Sequence, residues 1–491
     1  MKELISLLSG TDVRGVAVGE KNVFDAATVA AIASAFVDFA SELLGKAPCE
    51  LTVAVGRDCR ISGERIAGGI IRAVAEKGCR VLDCGMASTP AMFMSTVLAG
   101  ADAAVQVTAS HHPADRNGIK FFTAEGGFNA SQVKEILQKA ELLRSAGVPE
   151  EPDASADVSP CGLTGLYYAH LRGIISSQLG ADAPLSGMKI AVDAGNGVGG
   201  FFATDVLAPL GADVSGSVYL EPDGTFPNHV PNPEAPEAMD SLRRAVLDSG
   251  SELGLCFDTD VDRAACVDEA GLEINRNRLI ALAAAVALEG HPGGVIVTDS
   301  VTSDGLKKFI ENDLGGVHYR YRRGYKNVID KARELCAEGV DCPLAIETSG
   351  HAALRENYFL DDGAYLMTKI VILAAKMKKE GGTLASLIEK LEEPESELEK
   401  RFTLTREDFA AEGDEILKDL VSRCEKLDWA TPAPDNREGF RASFDASHGD
   451  GWFLLRRSVH DPVMVLNIES RLPDGAARIF EEFTRLCPGL R

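Results

Sequence analysis

Residues 253–271 read LGLCFDTDVDRAACVDEAG, in which a short apolar run ends at a polar, acidic turn. The same order of features recurs along the chain: a β-branched run, then glycine or polar residues, then a segment with helical periodicity. Further runs of this kind are LTVAVG (51–56), AAVQV (103–107), KIAVDAGNG (189–197), GVIVTDS (294–300) and PLAIE (343–347). Short strands that alternate with helices predict the α/β class, in which functional side chains follow the carboxyl ends of the strands.

The length and charge of the chain limit its class. The 491 residues predict about three domains, with four possible. Lysine and arginine number 50 against 74 aspartate and glutamate residues, so the formal net charge is −24. This charge argues against binding to nucleic acid or to an anionic membrane, and no apolar run reaches the roughly 18 residues of a membrane span. The 11 cysteines include no C-x-x-C pair, which predicts a reducing compartment and a cytoplasmic location.

Changes in composition divide the chain into domains. Segment 148–160 is rich in proline and acidic residues, as linkers are, and LEEPESELEK (391–400) indicates an acidic helix end or a hinge. A softer boundary lies near Gly271, and the last part of the chain has a different pattern of strands and one amphipathic helix. We therefore expect three related α/β domains and a C-terminal α+β domain, at residues 1–160, 161–272, 273–392 and 393–491.

A hydroxyl side chain follows one of the predicted strands, in VTASHHPADRNGIKFF. Ser110 lies on the turn that ends the strand, and His111 is next to it. Lys120 supplies a cation after Asn117 and Gly118, which together are a strong turn signal. The turn therefore presents a serine hydroxyl beside an imidazole, with an amine nearby. An ordinary strand–helix turn in which serine and histidine are incidental is the alternative.

Three carboxylates follow the strand in the opening segment. Asp258, Asp260 and Asp262 occupy alternate positions, so an extended segment would place them on one face. Oxygen ligands in this arrangement suit Mg²⁺, and Arg263 adds a planar donor for phosphate. The alternative is a solvated acidic turn, but three carboxylates leaving an apolar strand would repel one another without a cation.

Two later loops carry groups that suit a sugar phosphate. In ETSGH, Glu347, Ser349 and His351 crowd a turn and could bind sugar hydroxyls; a capping serine beside a satisfied histidine is the alternative. In RRSVHDP, Arg456 and Ser458 with nearby backbone amides could hold a phosphate, although basic patches are often merely solvated.

Two further segments are rich in turn residues. SGTDVRG (9–15) places Arg14 in a polar loop. The proline-dense segment 221–237 can form neither a regular helix nor a central strand, so we expect an ordered connection or a lid.

Together these segments resemble the α-D-phosphohexomutases, the phosphoglucomutase/phosphomannomutase superfamily, over nearly the whole chain. The motifs that carry the resemblance occur in the order of the family: SGTDVRG (9–15), VGRDCRISG (55–63), TASHHP with NGIK (108–120), VDAGNGVGG (192–200), PDGTFPNHVPNP (222–233), DTDVDR (258–263), ETSGH (347–351) and RRSVHDP (456–462). The resemblance implies four domains around a central cleft. It also implies an intramolecular phosphotransferase that interconverts hexose 1-phosphate and hexose 6-phosphate, of glucose or mannose, as a monomer or homodimer.

The matched motifs imply roles for individual residues. Ser110 would carry the transferable phosphate, Mg²⁺ would be the metal, and a sugar 1,6-bisphosphate would be both intermediate and activator. The implied metal ligands and surrounding cations are Asp258, Asp260, Asp262, Arg14, Lys120 and Arg263. A general base is also required, with Lys120 and His111 as open candidates. The groups implied to bind the rest of the substrate are Gly324, Tyr325, Glu347, Ser349, His351, Arg456, Ser458 and His460.

The chain departs from the family pattern at a few positions. His112 stands where asparagine is usual, and Tyr325 falls where several relatives have a histidine. In the phosphate loop, Val459, His460 and Asp461 replace a segment that usually contains a threonine, so a hydroxyl donor is lost. A ring N–H of His460 could replace that hydroxyl, and it would bind phosphate more strongly when protonated.

Other functions are compatible with parts of the pattern. Phosphoglucosamine mutase shares several of the motifs. Haloacid-dehalogenase-like phosphatases also place aspartates after a strand, in the pattern D-x-D-x-(T/V), but here Asp262 occupies the last position. A non-catalytic sugar-phosphate-binding protein is disfavoured because the Ser110 loop and the three-aspartate loop are both complete.

Overall fold

The computed structural model describes residues 3–147, 157–180, 182–458 and 461–490. Its α-helices are, in chain order, α1 (Ala26–Leu44), α2 (Gly63–Glu76), α3 (Thr89–Leu98), α4 (Ala130–Ala146), α5 (Leu163–Leu179), α6 (Pro236–Ser249), α7 (Arg276–Leu288), α8 (Asp304–Lys308), α9 (Tyr325–Ala337), α10 (Gly363–Glu380), α11 (Leu384–Leu387), α12 (Phe409–Cys424) and α13 (Gly475–Leu486). Its strands are β1 (Leu8–Ser9), β2 (Asp12–Val16), β3 (Thr52–Arg57), β4 (Arg80–Met86), β5 (Ala103–Val107), β6 (Arg116–Thr123), β7 (Gly126–Gly127), β8 (Val158–Pro160), β9 (Ile190–Asp193), β10 (Leu253–Phe257), β11 (Ala264–Asp268), β12 (Glu273–Ile274), β13 (Val295–Thr298), β14 (Val317–Arg320), β15 (Leu344–Ile346), β16 (Ala352–Leu354), β17 (Leu360–Asp361), β18 (Ser396–Thr403), β19 (Ala430–Pro432), β20 (Phe440–Phe444), β21 (Gly451–Arg457) and β22 (Val463–Ser470).

The chain forms two compact units, and the first comprises Met1–Leu279 and Ser349–Ser386. Its larger sheet has the order β1-β2-β6-β5-β3-β4-β8, with β7 paired to β6. Strands β3, β4, β5 and β8 run parallel, whereas β6 is antiparallel to both β5 and β2. A smaller sheet has the order β12-β11-β10-β9, and β16 pairs antiparallel with β17. The loops after β5 and β10 carry the predicted serine and aspartates.

The second unit comprises Ile280–Thr348 and Leu387–Arg491. It contains parallel strands in the order β14-β13-β15 and an antiparallel sheet in the order β18-β22-β21-β20-β19. Helices α12 and α13 contribute to the core on one face of the antiparallel sheet. The sequence predicts α/β domains followed by a C-terminal α+β domain. The observed sheets and helices confirm this fold class.

Helix α1 explains how an apolar segment is accommodated in the first unit. The Asp25 side chain caps it by accepting the Thr28 amide at 2.7 Å, and Gly45 ends it at a φ of 65°. In the described part of the chain, α1 is the one helix whose length and composition would allow it to cross a membrane. Many of its side chains are buried in the core beneath the larger sheet, as expected of a core helix.

The structure corrects one of the two interpretations of the acidic run at 391–400. The helix end is wrong, because residues 391–395 form no helix and residues 396–400 begin strand β18, whereas the hinge stays a prediction. Glu397 and Glu399 point to solvent, while Leu398 is half-buried and Phe402 is buried. The charged residues therefore lie on the exposed face of an edge strand, where the period of two places them.

We expect Gly118→Ala to destabilise the first unit, because β6 passes between two other segments at this residue. A Cβ there would lie 2.5 Å from the Val13 carbonyl oxygen and 2.6 Å from that of Thr108, and neither backbone atom can move aside cheaply. The expected loss is roughly 1–3 kcal/mol, measured as a lower midpoint of thermal or urea unfolding. Gly165→Ala in α5 is the control, since a Cβ there meets no atom within 4 Å. Equal midpoints for the two variants would contradict the prediction.

Candidate active site

The loop after β5 holds Ser110 in an uncommon backbone conformation. Its φ of 49° lies in the left-handed region, which residues other than glycine seldom adopt unless surrounding contacts enforce it. The Ser110 amide donates to Thr108 Oγ1 at 2.9 Å, and the residue is buried. These contacts fix the position of the hydroxyl through the backbone.

A buried arginine binds the backbone of the same loop. Arg60 pairs with Asp58 at 3.2 Å, and burial raises the pKa of Asp58 to about 6 although the Arg60 charge lowers it. The Arg60 guanidinium donates to the carbonyl oxygens of Ser110, His112, Pro113 and Arg116. Both charged residues lie in the motif VGRDCRISG, but sequence reasoning gave them no role. Most of the N–H donors of Arg60 bind carbonyl oxygens of this one loop, which indicates that Arg60 positions Ser110.

The three aspartates lie together, but not in the way that their spacing predicts. The segment after β10 is a turn, in which Val261 has a φ of 69°, and it is not an extended strand. Asp258, Asp260 and Asp262 are all buried, and one carboxylate oxygen from each lies within 4.8 Å of the others. The three carboxylates therefore lie close together as predicted, but a turn brings them together and not an extended strand.

The carboxylate cluster fits a metal ion. Asp260 Oδ1 and Asp262 Oδ1 are buried and have no hydrogen-bond partner among the described residues. Burial raises the pKa of Asp258 well above its ordinary value, and the charges of Asp262 and Asp260 raise it further. Bare carboxylate oxygens in a buried, mutually repulsive group are suitable ligands for a hard divalent cation.

Lys120 reaches the cluster from strand β6. Its Nζ lies 3.0 Å from Asp260 Oδ2 and 2.5 Å from Asp262 Oδ2. The Thr89 hydroxyl, at the start of α3, donates to Asp260 Oδ2 at 2.6 Å. Burial raises the pKa of Asp260, but the Lys120 charge and these hydrogen bonds outweigh it, and the pKa falls below its ordinary value. Sequence reasoning missed Thr89, which no motif marks.

Arg263 connects the carboxylates to the serine. Its guanidinium donates to Ser110 Oγ at 3.1 Å and to Asp258 Oδ2 at 3.3 Å. Ser110 Oγ in turn donates to Asp258 Oδ2 at 2.8 Å. On its other side the guanidinium donates to Asn232 and Glu234, each at 3.2 Å. The predicted serine, aspartates, lysine and arginine thus share one buried hydrogen-bonded cluster in the first unit.

His111 lies against Ser110 in a defined tautomer. Arg263 donates to His111 Nδ1, and a guanidinium has no acceptor, so the ring proton must be on Nε2. Burial lowers the pKa of His111 to about 2, and the Arg263 charge contributes. His111 is therefore neutral, and its Nδ1 lone pair already accepts a hydrogen bond.

Arg14 lies beside the cluster on a strand, so the predicted polar loop at this residue is wrong. It belongs to β2, pairs in register with Gly118 of β6, and binds Asp12 at 2.6 Å. Register pairing with β6 brings Arg14 to the strand that carries Lys120.

His351 approaches the aspartates from the other side of the first unit. Its Nδ1 lies 2.6 Å from Asp361 Oδ2 and 3.9 Å from Asp262 Oδ1, and its backbone forms a bridge with Arg263. Burial lowers the pKa of His351, but the charges of Asp361 and Asp262 outweigh it and raise the pKa to about 9. Ser349 is buried two residues earlier. Asp361 lies in the segment that follows ETSGH, yet sequence reasoning did not single it out.

The other predicted binding residues lie in the second unit. The Gly324 amide, just before α9, donates to Glu347 Oε1 at 2.5 Å and fixes that carboxylate. Tyr325 is the first residue of α9. Asp299, at the end of β13, accepts from the Thr348 hydroxyl at 2.7 Å, while its Oδ1 has no hydrogen-bond partner in the described chain. Asp299 is a buried polar group that the sequence patterns did not indicate.

The predicted phosphate loop begins inside strand β21 of the same unit, because Arg456 is still part of that strand. Arg456 is 6% exposed, its Nε has no hydrogen-bond partner among the described residues, and burial lowers its pKa. The Ser458 amide donates to the Val463 carbonyl at 2.7 Å, and its Oγ accepts from the Asp461 amide at 3.3 Å. His460 lies outside the described residues, so its predicted contact with phosphate stays a prediction.

Comparison with known proteins identifies the family. Three models of the phosphoglucomutase/phosphomannomutase family match the chain: alpha/beta/alpha domain I at residues 7–145, domain II at 166–271 and domain III at 275–394. The chain is also 30% identical over 480 residues to a phosphomannomutase/phosphoglucomutase of Pseudomonas aeruginosa, covering 96% of this chain and 94% of that protein. The chain belongs to the phosphoglucomutase/phosphomannomutase family.

Other members agree with this assignment. A phosphoglucomutase of Neisseria meningitidis is 29% identical over 432 residues, which cover 88% of this chain and 87% of that protein. A solved family protein from Burkholderia thailandensis has a TM-score of 0.80 to this structure at 26% identity, over 99% of both chains. The predicted family, fold class and enzyme class, a phosphohexomutase, are therefore confirmed, and the membership favours the mutase over the phosphatase and the non-catalytic alternatives.

We expect Arg60→Lys to lower the turnover of this phosphohexomutase about tenfold or more. Lysine keeps the charge beside Asp58 but cannot donate to four separate carbonyl oxygens, so the Ser110 loop loses its fixed position. The measurement is kcat together with the unfolding temperature. Arg65→Lys is the matched control, because Arg65 also donates to backbone carbonyls but those of Phe24 and Ala17. Unchanged kcat in Arg60→Lys would show that the loop does not need this arginine.

Proposed function

We propose that this enzyme interconverts hexose 1-phosphate and hexose 6-phosphate, of glucose and mannose, through phosphorylated Ser110 and a sugar bisphosphate. One observation carries the proposal: Ser110 Oγ lies 2.8 Å from a carboxylate of the three-aspartate cluster and 3.1 Å from the Arg263 guanidinium. A phosphoryl group on that oxygen would meet both ligands for a cation and a planar anion-binding group. The names of the relatives, phosphoglucomutase and phosphomannomutase, support these sugars.

Mg²⁺ is the metal that the cluster suits best. Asp258, Asp260 and Asp262 would hold it together with an oxygen of phosphorylated Ser110, and the unpartnered buried oxygens of Asp260 and Asp262 support this assignment. When bound, the ion supplies positive charge close to the phosphoryl oxygens. We assign a sugar 1,6-bisphosphate as activator, because it can phosphorylate Ser110 again whenever the intermediate escapes.

Phosphoryl transfer depends mainly on positioning and charge. In the first half, a sugar hydroxyl oxygen forms a bond to phosphorus, the bond from phosphorus to Ser110 Oγ breaks, and the hydroxyl proton passes to a base. Arg263 already donates to Ser110 Oγ, so it stabilises the negative charge that develops there as this bond breaks. In the second half, the bisphosphate has turned over, the phosphorus of its other phosphate forms a bond to Ser110 Oγ, and the bond from that phosphorus to the sugar oxygen breaks. The proton that leaves Ser110 is passed to the sugar oxygen, and the isomer is released.

The geometry favours one of the two candidate bases. The Nδ1 atom of His111 accepts from Arg263, so it is not available to take a proton from the sugar. Lys120 therefore remains as the candidate. Its amine is paired with Asp260 and Asp262, so this role requires it to leave that pairing and be neutral when the sugar hydroxyl attacks. Arg14 is assigned to the cations around the reacting phosphoryl group.

The rest of the substrate is assigned to the ETSGH loop (347–351) and the RRSVHDP loop (456–462). Arg456 is a buried guanidinium with an unpartnered Nε, which suits the phosphate that is not being transferred, and Ser458 would add a hydroxyl. Glu347, fixed by Gly324, and Ser349 would bind sugar hydroxyls. Tyr325, His351 and His460 stay predicted binding residues for the sugar and its phosphate. The four domain ranges, the cytoplasmic location and the choice between monomer and homodimer also stay predictions.

We expect the wild-type enzyme to convert glucose 1-phosphate and mannose 1-phosphate into their 6-phosphates when sugar bisphosphate is present, and Ser110→Ala to lose this activity. The reason is that alanine has no oxygen to carry the phosphoryl group. A coupled assay measures the product, and mass spectrometry measures covalent phosphate on the protein. Ser177→Ala on α5 is the control, since that hydroxyl donates within its own helix, to the Ile174 carbonyl oxygen.

Each outcome of this assay has a distinct meaning. A fully active Ser110→Ala variant would refute the phosphoserine mechanism. Preference for glucosamine 1-phosphate would replace the proposed sugars by the runner-up, phosphoglucosamine mutase. Release of inorganic phosphate without isomer would indicate a hydrolase.

We expect Asp260→Asn to weaken metal binding, because it removes one of the three charges that would hold the ion. In the wild type, added Mg²⁺ or Mn²⁺ should raise the unfolding temperature, since a ligand that binds only the folded state stabilises it. The variant should show a smaller rise and should need more metal for activity. Asp240→Asn, at an exposed ion pair with Arg243, is the control. An unchanged response in Asp260→Asn would argue that the acidic turn is only structural.

A further inference from the structure

The proline-dense segment 221–235 forms an ordered loop with neither helix nor strand, and no step of the proposed mechanism uses it. We call it the bracing loop. Its prolines, with an Asp223 carboxylate that accepts the Thr225 amide at 2.9 Å, stiffen it without regular structure. It belongs wholly to the first unit, and each of its two ends contacts an arginine that borders Ser110.

The first end of the bracing loop packs on Arg60. The Phe226 ring lies 5.3 Å from the Arg60 guanidinium carbon. At Gly224 the loop comes so close that a Cβ would lie 2.5 Å from the Cys59 carbonyl oxygen. Because Arg60 donates to the Ser110 carbonyl oxygen, this end of the loop supports the arginine that fixes the serine.

The second end of the bracing loop holds Arg263. Asn232 Oδ1 and Glu234 Oε2 both accept from the Arg263 guanidinium at 3.2 Å. The Pro233 carbonyl oxygen accepts from Asn275 Nδ2 at 2.7 Å and anchors this end. The guanidinium that donates to Ser110 Oγ is therefore oriented from its far side by the loop.

A histidine fastens the middle of the bracing loop. The His229 side chain is 5% exposed, with Nε2 at 3.0 and 3.1 Å from the two carboxylate oxygens of Asp193 and Nδ1 at 2.9 Å from the Val230 carbonyl oxygen. A carboxylate and a carbonyl can only accept, so both ring nitrogens must carry protons for both bonds to form. The two bonds together therefore favour an imidazolium at His229, paired with a fully buried aspartate at the end of β9.

The groups around His229 favour this charge. Asp193 faces it from β9, the charge of Glu237 acts from α6, and the Tyr219 ring packs edge-on at 5.6 Å. Burial lowers the pKa of His229, but the hydrogen bond and charge of Asp193, with smaller contributions from Val230 and Glu237, raise it above its ordinary value.

We propose that the bracing loop positions Ser110 and Arg263 for phosphoryl transfer, and that the charged His229–Asp193 pair fastens it in place. This inference rests on the proposed function of Ser110. It makes His229, Asn232 and Glu234 positioning residues, since they act through Arg263 and do not touch the substrate. It also makes turnover depend on the proton of His229.

The direction in which kcat depends on pH follows from the raised pKa of His229. A histidine whose pKa is raised by folding stabilises its surroundings at low pH, and that contribution is lost as the pH rises through the folded-state pKa. Above that pH, one ring nitrogen loses its proton and Asp193 loses its counter-charge. The bracing loop then loosens and Arg263 loses its orientation, so kcat falls while KM changes less.

The test compares kcat, KM and their pH profiles in four proteins. His229→Gln should lower kcat about tenfold at neutral pH and remove the decrease at high pH, because its amide cannot be charged. Asp193→Asn should move that decrease to lower pH, because the histidine loses its counter-charge. His291→Gln is the matched control: His291 also pairs with an aspartate, Asp341, at 3.1 Å, but it is far more exposed. It should behave as the wild type does.

Two further measurements keep the test decisive if a buried substitution disturbs folding. Glu234→Gln changes a side chain that is 36% exposed, and it should still lower kcat severalfold because Arg263 loses a charged acceptor. NMR of histidine-labelled wild type, with the His229 signal assigned from His229→Gln, should show a protonated ring at pH 7. A neutral ring at pH 7, or wild-type kcat and pH profiles in folded His229→Gln and Glu234→Gln, would overturn the inference. A wild type that binds its proton as expected but has no mutase activity would instead refute the proposed function.

Discussion

Three carboxylates are buried within 4.8 Å of one another, and the rest of this site must compensate their negative charge. Their mutual repulsion is offset by side chains from other segments and by the arginine that directly follows Asp262. Lys120 binds two of the carboxylates from strand β6, Thr89 donates to Asp260 from the start of α3, and Arg263 binds Asp258. Because these partners come from both sheets of the first unit, the cluster forms only when that unit is folded. Asp260 Oδ1 and Asp262 Oδ1 have no hydrogen-bond partner among the described residues. They are hard oxygen ligands of the kind that a divalent metal ion requires.

Two arginines divide the task of fixing the serine. Arg60 binds the backbone of the loop through several carbonyl oxygens, whereas Arg263 binds the hydroxyl itself. A guanidinium suits both tasks because it has five donors in a rigid plane and keeps its charge when buried. Ser110, whose backbone is in the left-handed region, is therefore held at two points. Arg60 binds its carbonyl oxygen, and Arg263 binds its hydroxyl oxygen. This arrangement leaves the hydroxyl little freedom and suits a group that must accept and donate a phosphoryl group at one place.

The sequence located the chemically active side chains better than their surroundings. Ser110 and the aspartates follow apolar strands, and such residues are recognisable because strand ends carry function in α/β folds. Arg60 and Thr89 escaped notice because their contacts join segments 50 and 171 residues apart, a distance at which no local pattern exists. The aspartate spacing predicted that the carboxylates meet but not how, since a turn with Val261 in the left-handed region replaced the expected extended segment. Side-chain partners of this kind depend on tertiary packing, which periodicity does not encode.

The charged edge strand of the second unit has a consequence for association between copies. Strand β18 is the outermost strand of its antiparallel sheet, so one row of its backbone hydrogen-bonding groups lacks a neighbouring strand in that sheet. Glu397, Glu399, Lys400 and Arg401 are exposed along it, and a second copy that added its own β18 here would remove these charged side chains from water. Continuous sheet formation across two molecules is therefore disfavoured at this edge, and a homodimer would have to form through a different surface.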